Sequence, residues 1–285
     1  MMPPEIQSAF PPRPVDANKR SVGVVTVVGG SARFNHAPVI AALGARAAGA
    51  GLVQLVVPDA ARIAAGALVP EAVFTKLTAT CVPPKADVEV VGMGLGVTSN
   101  SEAIVSRLLS GAGGRFVIDA DALTVLSGWY GRTDGYDPAS GQELVLTPHE
   151  GEAERLLGWQ RGKVAADRAL AAREIALRYG ATVALKGPRT LVVSADGKRV
   201  FENPAGNPYM AVGGMGDLLA GALAARWASL SKSRPDPDAA FLAACAAVWL
   251  HAAASDALVA ADPPADPSVV NTAHALASLR VALER

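Results

Sequence analysis

The glycine-rich stretch that decides the fold of this chain reads NPYMAVGGMGDLLAGALAA and spans residues 207–225. Three glycines precede the carboxylate of Asp217, and the apolar run after it has the composition of a helix. Glycines let backbone N–H groups approach a ligand closely, and a helix N-terminus adds unpaired donors and partial positive charge. The stretch therefore predicts an anion site at the backbone of Gly214, Met215 and Gly216, next to an acid that can serve as a general base.

A simpler interpretation of the same residues is a tight turn with Asp217 as the helix N-cap, because Asp is favoured at that position. Two familiar phosphate-binding motifs fit less well. A GxGxxG dinucleotide motif directly follows a strand, and a Walker A loop ends in Gly-Lys followed by Ser or Thr. An anion site beside a base instead resembles the ribokinase-like enzymes, in which the loop faces the transferred phosphate and the Asp activates the acceptor hydroxyl.

Composition narrows the class of protein. The chain has 285 residues, of which 51% are hydrophobic and 18% charged, with 26 basic and 26 acidic side chains. These values indicate a globular protein with a sizeable core and no basic excess for nucleic acid. Its two cysteines are too few for a disulfide framework or a metal cage. With no secretory signal and no long uncharged apolar run predicted, we expect a cytoplasmic protein without a membrane partner.

Strand and helix patterns alternate along the chain, after an N-terminal lead-in (1–20) that we expect to be extended. The single domain at 21–285 has predicted strands at 22–28, 52–57, 88–91, 115–118, 144–146 and 182–185, a hairpin at 191–193 and 199–201, and helices at 37–49, 101–109, 152–157, 164–179, 216–227, 238–258 and 272–283. This order predicts an α/β fold with a mostly parallel central sheet and helices on both faces. Ligands bind beyond the carboxyl ends of such strands, so the motifs found there should form one site.

In their order and spacing, these motifs resemble the ADP/ATP-dependent NAD(P)H-hydrate dehydratases of the ribokinase-like superfamily. The resemblance runs from residue 18 to 256 and rests on VVGGS (27–31), AGAGLV (48–53), PE (70–71), GMGLG (92–96), VIDADAL (117–123), LTPHEGE (146–152), ALKG (184–187) and the segment 207–221. It implies a ribokinase-like fold and an enzyme that repairs the hydrates of NADH and NADPH.

The resemblance also implies a chemistry. ADP or ATP would phosphorylate the hydroxyl of the S-epimer of the hydrate, and loss of phosphate would regenerate NAD(P)H. Asp217 would accept the hydroxyl proton, while Gly214, Met215 and Gly216 would hold the phosphoryl charge. Mg²⁺ is expected because phosphoryl transfer needs its charge neutralised. Many relatives carry an epimerase domain first, for which residues 1–20 leave no room, so we expect a separate epimerase as functional partner.

Site residues follow from the same resemblance. It implies nucleotide binding by a group of residues at the end of one strand together with Gly216, namely Lys186, Gly187, Pro188, Arg189 and Thr190. The hydrate would be bound by Asp217 and four others, which are Ala37, Gly94, Gly96 and His149. Asp119 and Glu152 are candidate metal ligands, with Asp121 beside them. His36 and Pro38 depart from the family pattern, in which a glycine and an alanine stand at these positions.

Each assignment has a structural alternative. Lys186 could be a solvated charge at a strand end, His149 a structural residue, and the Asp119–Asp121 pair a helix cap with a buried anchor. Two other functions share the same motifs: a small-alcohol kinase of the hydroxyethylthiazole or hydroxymethylpyrimidine type, and a non-catalytic nucleotide-binding protein. The family tends towards homo-oligomers, for which the alanine-rich helix at 241–254 would supply a packing face.

Overall fold

A central sheet of nine strands forms the core of the computed structural model, which describes residues 1–111, 113–129, 141–233 and 238–285. In chain order the strands are β1 (Val24–Val28), β2 (Leu52–Val57), β3 (Val73–Lys76), β4 (Val88–Val91), β5 (Gly114–Ile118), β6 (Gln142–Leu146), β7 (Thr182–Leu185), β8 (Leu191–Val193) and β9 (Val200–Glu202). Most are short runs of buried Val, Leu and Ile. This composition is typical of strands that are covered by helices on both faces.

The sheet is parallel from β3 to β7 and ends in an antiparallel hairpin. Its order is β3-β2-β1-β4-β5-β6-β7-β8-β9, and only the β7–β8 and β8–β9 pairs among the described strands are antiparallel. The chain leaves β1 towards β2 and β3 and then returns to the other side of β1 with β4. In open α/β sheets, ligands bind where the strand order reverses in this way. The predicted mostly parallel α/β fold and its hairpin are confirmed.

Two helical layers cover the sheet. One layer holds α1 (Ala37–Ala47), α2 (Ala61–Leu68), α8 (Met215–Ser233), α9 (Ala239–Val259) and α10 (Val269–Leu283). The other holds α3 (Ser99–Leu109), α4 (Asp121–Trp129), α5 (Glu150–Leu157), α6 (Lys163–Ala166) and α7 (Arg168–Tyr179). One strand and two helices of the structure were not predicted from the sequence, namely β3, α2 and α4. The predicted helix at 164–179 is instead two helices, because Asp167 caps the second by accepting a hydrogen bond from the Leu170 N–H.

The N-terminal segment differs from the expected extended lead-in. Pro4–Ala9 forms a short 3-10 helix, and the Ile6 and Ala9 side chains within it are buried. The ring of Phe10 packs edge-on against Trp249 of α9, with 6.3 Å between ring centroids. Apolar side chains spaced along this Pro-rich segment therefore attach it to the core, which explains why it is ordered.

A cluster of three arginines around one carboxylate connects the two ends of the domain, with the side chains of Arg226, Arg280 and Glu284 buried and that of Arg13 partly exposed. The Arg226 side chain, from α8, is bonded to the carbonyl of Ala9 and to the carboxylate of Glu284. Arg280 also binds Glu284, and Arg13 lies 3.5 Å from the same carboxylate. Since buried charges are tolerated only when they are paired, Glu284 is needed to hold these arginines together.

Helices α1 and α8 touch backbone to backbone. A Cβ added to Gly221 in α8 would lie 1.8 Å from the Ala41 carbonyl oxygen, and one added to Gly44 in α1 would lie 2.1 Å from that of Leu218. Only glycine allows so close an approach. The first turns of α8 are therefore fixed against α1. Helix α8 also packs on β1 and β4, between which the strand order reverses.

Helix α9 is a core helix. Among the described residues it is the one helix that is long and apolar enough to cross a membrane by length and composition, and 67% of its most apolar window is buried. It packs against α8 and α10, and an all-round apolar helix is expected in such a position. The alanine-rich helix predicted at 241–254 lies within α9, and its use as a packing face between subunits stays a prediction.

Candidate active site

The glycine-rich turn lies at the beginning of α8, at the carboxyl edge of the sheet. Gly214 has a φ of +93°, a conformation that favours glycine, and α8 begins at the next residue, Met215. Asp217 is the third residue of this helix, so the interpretation of Asp217 as the N-cap is wrong. The N–H groups of the first helical residues have no partner within the helix. Asp217 therefore lies in the turn that would face an anion, although the Met215 N–H in this turn already donates to the Val212 carbonyl oxygen at 3.3 Å.

Lys186 extends from the end of β7 into a group of carboxylates. Its Nζ lies 2.6 Å from Asp119 Oδ1 and 3.8 Å from Glu152 Oε2. A Cβ added to Gly216 would lie 3.4 Å from the same nitrogen, so the ammonium is close to the first turn of α8. Burial opposes the charge of Lys186, but the neighbouring Asp119 and Glu152 carboxylates raise its pKa. The alternative of a solvated strand-end charge is wrong, since only 19% of this side chain is exposed.

Asp217 has a pKa well above that of an ordinary carboxyl group. Burial raises the pKa of Asp217 to about 7, and the carboxylates of Asp119, Glu152 and Asp121 act in the same direction. Lys186 opposes them by lowering the pKa. An acid with a pKa near 7 is well suited to general base catalysis, because it is a stronger base than an ordinary carboxylate and is still available at neutral pH.

Asp119 and Asp121 follow β5 and point to different partners. Asp119 is buried and paired with Lys186, whereas Asp121 Oδ2 accepts a hydrogen bond from the Gly96 N–H at 2.7 Å. Ala120 between them has a φ of +51°, in the left-handed region that a non-glycine residue rarely adopts. This turn lets two acids that are one residue apart serve two different parts of the site.

His149 and Glu152 form a reciprocal cap at the start of α5. His149 Nδ1 accepts a hydrogen bond from the Glu152 N–H at 3.2 Å, and Glu152 Oε2 accepts one from the His149 N–H at 2.8 Å. The side chain of His149 is 60% exposed, so its ring remains available at the edge of the site. His149 therefore caps α5, which is the structural role considered as an alternative for this residue. In this position part of its ring stays exposed, where a ligand can contact it.

The candidate metal ligands Asp119 and Glu152 lie on the same side of the site. In the described ranges of the chain, no three His, Cys, Asp or Glu side chains are grouped as a metal cage would require. Mg²⁺ needs no such cage, because it usually keeps water ligands and binds one or two carboxylates together with substrate phosphates. These two carboxylates fit that requirement, although both also contact Lys186.

The predicted nucleotide-binding residues that follow Lys186 form the turn between β7 and β8. Thr190 Oγ1 donates a hydrogen bond to the carbonyl of Gly187, 3.2 Å away. Arg189 has a φ of +56°, and its guanidinium lies 2.8 Å from the Glu202 carboxylate. The Arg189 side chain is 72% exposed even with this ion pair. Arg189 therefore lies at the rim of the site, whereas Lys186 lies inside it.

Ala37 and Gly94 meet at the strand-order reversal. A Cβ added to Gly94 would lie 3.4 Å from the Ala37 Cβ and 2.5 Å from the Phe34 carbonyl oxygen, so glycine is needed there. Pro38 lies in the first turn of α1, where proline is well tolerated. The departure at Pro38 therefore does not prevent the helix, and His36 lies exposed just before it.

Two contacts near the site could not be predicted from local sequence. Asp256 Oδ2 accepts a hydrogen bond from the Gly206 N–H at 2.9 Å, and its other oxygen accepts one from Asn207 Nδ2 at 2.7 Å. These contacts hold the segment that leads into the glycine-rich turn. Asp256 lies 49 residues after Asn207, and a single sequence carries no signal for a pair so far apart.

The pattern of the NAD(P)H-hydrate dehydratase family matches residues 25–274 of the chain, a range that includes every site residue described above. The chain belongs to this family. Its membership supports the dehydratase interpretation over the small-alcohol kinase. A dehydratase named as the ADP-dependent (S)-NAD(P)H-hydrate dehydratase of Neisseria meningitidis is 39% identical over 256 residues, covering 87% of this chain and 81% of the relative.

The chain also resembles longer enzymes in sequence and solved structures in fold. The bifunctional NAD(P)H-hydrate repair enzyme Nnr of Gloeobacter violaceus is 37% identical over 91% of this chain, and the match spans 50% of that enzyme's length. The chain thus spans about half the length of such bifunctional relatives. The Bacillus subtilis ADP/ATP-dependent NAD(P)H-hydrate dehydratase, co-crystallised with ATP and Mg²⁺, superposes with a TM-score of 0.82 at 24% identity, covering 98% of this chain and 96% of that one. The last likeness shows that the fold is shared.

Proposed function

We propose that this protein dehydrates the S-epimer of NADH hydrate or NADPH hydrate to NAD(P)H, with ADP or ATP as the phosphoryl donor. The observation that carries the proposal is Asp217, whose pKa is raised to about 7 in the first turn of α8. Family membership supplies the substrate class, and relatives named as ADP-dependent supply the donor.

In the first step the substrate hydroxyl attacks the terminal phosphorus of the nucleotide. Asp217 accepts the hydroxyl proton, the new C–O–P linkage forms, and the bond to the leaving AMP or ADP breaks. Negative charge on the phosphoryl oxygens is held by the N–H groups of Gly214, Met215 and Gly216, of which that of Met215 would exchange its Val212 carbonyl partner for the phosphate. In other enzymes one such donor contributes roughly 2.7–4 kcal/mol to the transition state.

In the second step the phosphorylated hydrate loses inorganic phosphate. The C–O bond breaks with its electron pair going to phosphate, a proton leaves the neighbouring carbon, and the ring double bond of NAD(P)H is restored. Phosphorylation makes this possible at neutral pH because phosphate is a far better leaving group than hydroxide. The nucleotide is consumed in the first step, so it acts as a co-substrate.

The remaining site residues have proposed binding roles. Ala37, Gly94, Gly96 and the exposed ring of His149 would contact the hydrate. Gly187, Pro188, Arg189 and Thr190 would line the nucleotide, with Lys186 near its phosphates. When bound, Mg²⁺ would neutralise phosphate charge, and Asp119 and Glu152 are the residues that would hold it.

We propose further that a separate epimerase supplies the substrate. An enzyme specific for the S-epimer cannot act on the R-epimer, so an activity that interconverts the two must accompany it. A cytoplasmic location and a homo-oligomeric state complete the proposal, and both remain predictions.

The test follows absorbance at 340 nm while the purified protein is mixed with NADH hydrate, Mg²⁺ and either ADP or ATP. We expect a nucleotide-dependent rise, with kcat lowered by a factor of about 10²–10⁴ in Asp217→Asn. Asp16→Asn is the matched control, because Asp16 is exposed in the N-terminal segment. Failure of the folded wild-type protein to respond to either nucleotide would contradict the proposal.

A further inference from the structure

Arg168, the first residue of α7, contacts the backbone of the turn that is proposed to bind the nucleotide. Its Nη2 donates hydrogen bonds to the carbonyl oxygens of Leu185 and Lys186, at 3.1 and 3.3 Å. Its Nη1 donates to Glu150 Oε1 at 3.1 Å. One guanidinium thus joins the end of β7 to the first residue of α5, the two elements that provide Lys186 and its neighbour Glu152.

The chain makes room for this guanidinium at Gly187. A Cβ added there would lie 2.2 Å from Arg168 Nη1 and 2.8 Å from its Cζ, and Gly187 has a φ of +152°. A side chain at position 187 would therefore have to displace the Arg168 guanidinium, and the backbone turn itself favours glycine. This contact is independent of the hydrogen bonds and indicates that the guanidinium and the strand end fit closely together.

We propose that Arg168 is a positioning residue, which fixes the backbone of Lys186 so that its ammonium stays between Asp119 and the first turn of α8. The inference rests on the proposed function, in which Lys186 lies near the transferred phosphate. Arg168 itself touches neither substrate nor nucleotide in this assignment. It acts only through Lys186 and through the start of α5.

Arginine is suited to this role in a way that lysine is not. The planar guanidinium presents several N–H donors in a fixed arrangement, so it can bind two carbonyls and a carboxylate at once. An ammonium at the end of a flexible chain has no such fixed geometry. The side chains of Arg168 and Glu150 are 18% and 40% exposed, so their ion pair is only partly screened by water.

The proposal predicts a loss of turnover in Arg168→Met and Arg168→Lys. A displacement of about 1 Å at a reacting group can lower the rate by as much as about a hundredfold, so we expect kcat to fall roughly ten- to a hundredfold. The KM for NADH hydrate should change by less than about threefold, because the residues that contact the hydrate are untouched. A KM rise without a fall in kcat would contradict the proposal.

Arg178 offers a matched control on the same helix. Its Nη1 donates to the carbonyl oxygens of Leu156 and Leu157, at 3.2 and 3.0 Å, so it also ties α7 to the end of another element. Arg178→Met should lower the melting temperature about as much as Arg168→Met does but leave kcat within about twofold of wild type. Equal losses of kcat in the two variants would show that Arg168 is merely structural.

A double-mutant cycle tests whether Arg168 acts through Lys186. In a Lys186→Met background, Arg168→Met should lower kcat further by no more than about twofold, since the group it positions is already gone. Independent effects that multiply would overturn the inference. Wild-type activity in the same assay separates this outcome from a failure of the proposed function.

A crystal structure of Arg168→Met gives a readout that does not depend on activity. We expect Lys186 Nζ to have left Asp119 Oδ1, from which it is 2.6 Å away in the wild-type protein. If the Lys186 backbone and this distance are both unchanged in the variant, Arg168 does not position the lysine.

Discussion

The protonation state of Asp217 sets the expected pH dependence. Only the ionised carboxylate can accept a proton, and the pKa of Asp217 is raised to about 7 by burial and by Asp119. We therefore expect kcat/KM to rise with pH and to reach half its plateau near pH 7. In Asp119→Asn this midpoint should move to lower pH, because a carboxylate that raises the pKa is removed. Initial rates between pH 5 and 9 measure both midpoints.

Protonation of the nucleotide at low pH would also lower kcat/KM. The nucleotide is the same in both reactions, so its titration would leave the midpoint unchanged between wild type and Asp119→Asn. Coincident midpoints would therefore rule out Asp217 as the titrating group.

Because the pKa of Asp217 is raised, ionisation of this carboxyl group destabilises the folded protein. Its pKa is about 7 in the folded protein, against a reference value of 3.8, so the folded state binds the proton more tightly than the unfolded state. Stability is then lost as pH rises between these values. Asp217→Asn should stabilise the fold by about 2–3 kcal/mol more at pH 8 than at pH 5. Urea unfolding of the wild type and Asp217→Asn at both pH values tests this, and an equal effect of the substitution at the two pH values would contradict it.

Much of the site could be predicted at the residue scale because its residues lie in short motifs that follow strands or open helices. Lys186 and His149 lie in motifs after strands, Asp217 lies in the glycine-rich turn that opens α8, and Lys186 meets that turn in the structure. The contacts that position them could not be predicted, since Arg168 and Asp256 act across the fold. Their partners are brought near by packing of whole elements, which one sequence does not encode locally.

At the scale of elements, the contact between α1 and α8 should be the most sensitive to small changes. A methyl group at Gly221 would lie 1.8 Å from the Ala41 carbonyl oxygen, so Gly221→Ala must push the helices apart. We expect a loss of about 2–4 kcal/mol in the free energy of unfolding. Thermal or urea unfolding with a two-state fit gives the value.

Gly66 in α2 is the matched control for this substitution. Nothing lies within 4 Å of a Cβ added to Gly66, and alanine is the better helix former, so Gly66→Ala should stabilise by about 0.5–1 kcal/mol. Equal effects of the two substitutions would show that helix propensity, and not close packing, decides the outcome.

Element prediction succeeded where hydrophobic pattern was strong. The buried strands β1 and β2 read as apolar runs in the sequence. Strand β3 was missed because it lies at the sheet edge, where Val73 and Lys76 are exposed and the run is only four residues long. Helix α4 was missed because its first residue, Asp121, belongs to the VIDADAL motif after β5. That segment was interpreted as part of the site and not as the start of a helix.

For the molecule as a whole, the cluster around Glu284 should be decisive for stability. Three arginines, Arg13, Arg226 and Arg280, contact this one carboxylate. Glu284→Gln should cost about 2–4 kcal/mol, since it leaves buried guanidinium groups without their counter-charge. Glu174→Gln on the exposed face of α7 is the control. Urea midpoints of the two variants that differ little would contradict this account.

The same cluster has a consequence for how the protein is made. A ribosome synthesises Ala9 early, Arg226 217 residues later, and Glu284 a further 58 residues after that. Until Glu284 leaves the ribosome, its carboxylate cannot neutralise the Arg226 guanidinium. That guanidinium joins the N-terminal 3-10 helix to the end of α10. We expect chains stalled before Glu284 to stay sensitive to proteases, and chains whose Glu284 has left the ribosome to become resistant.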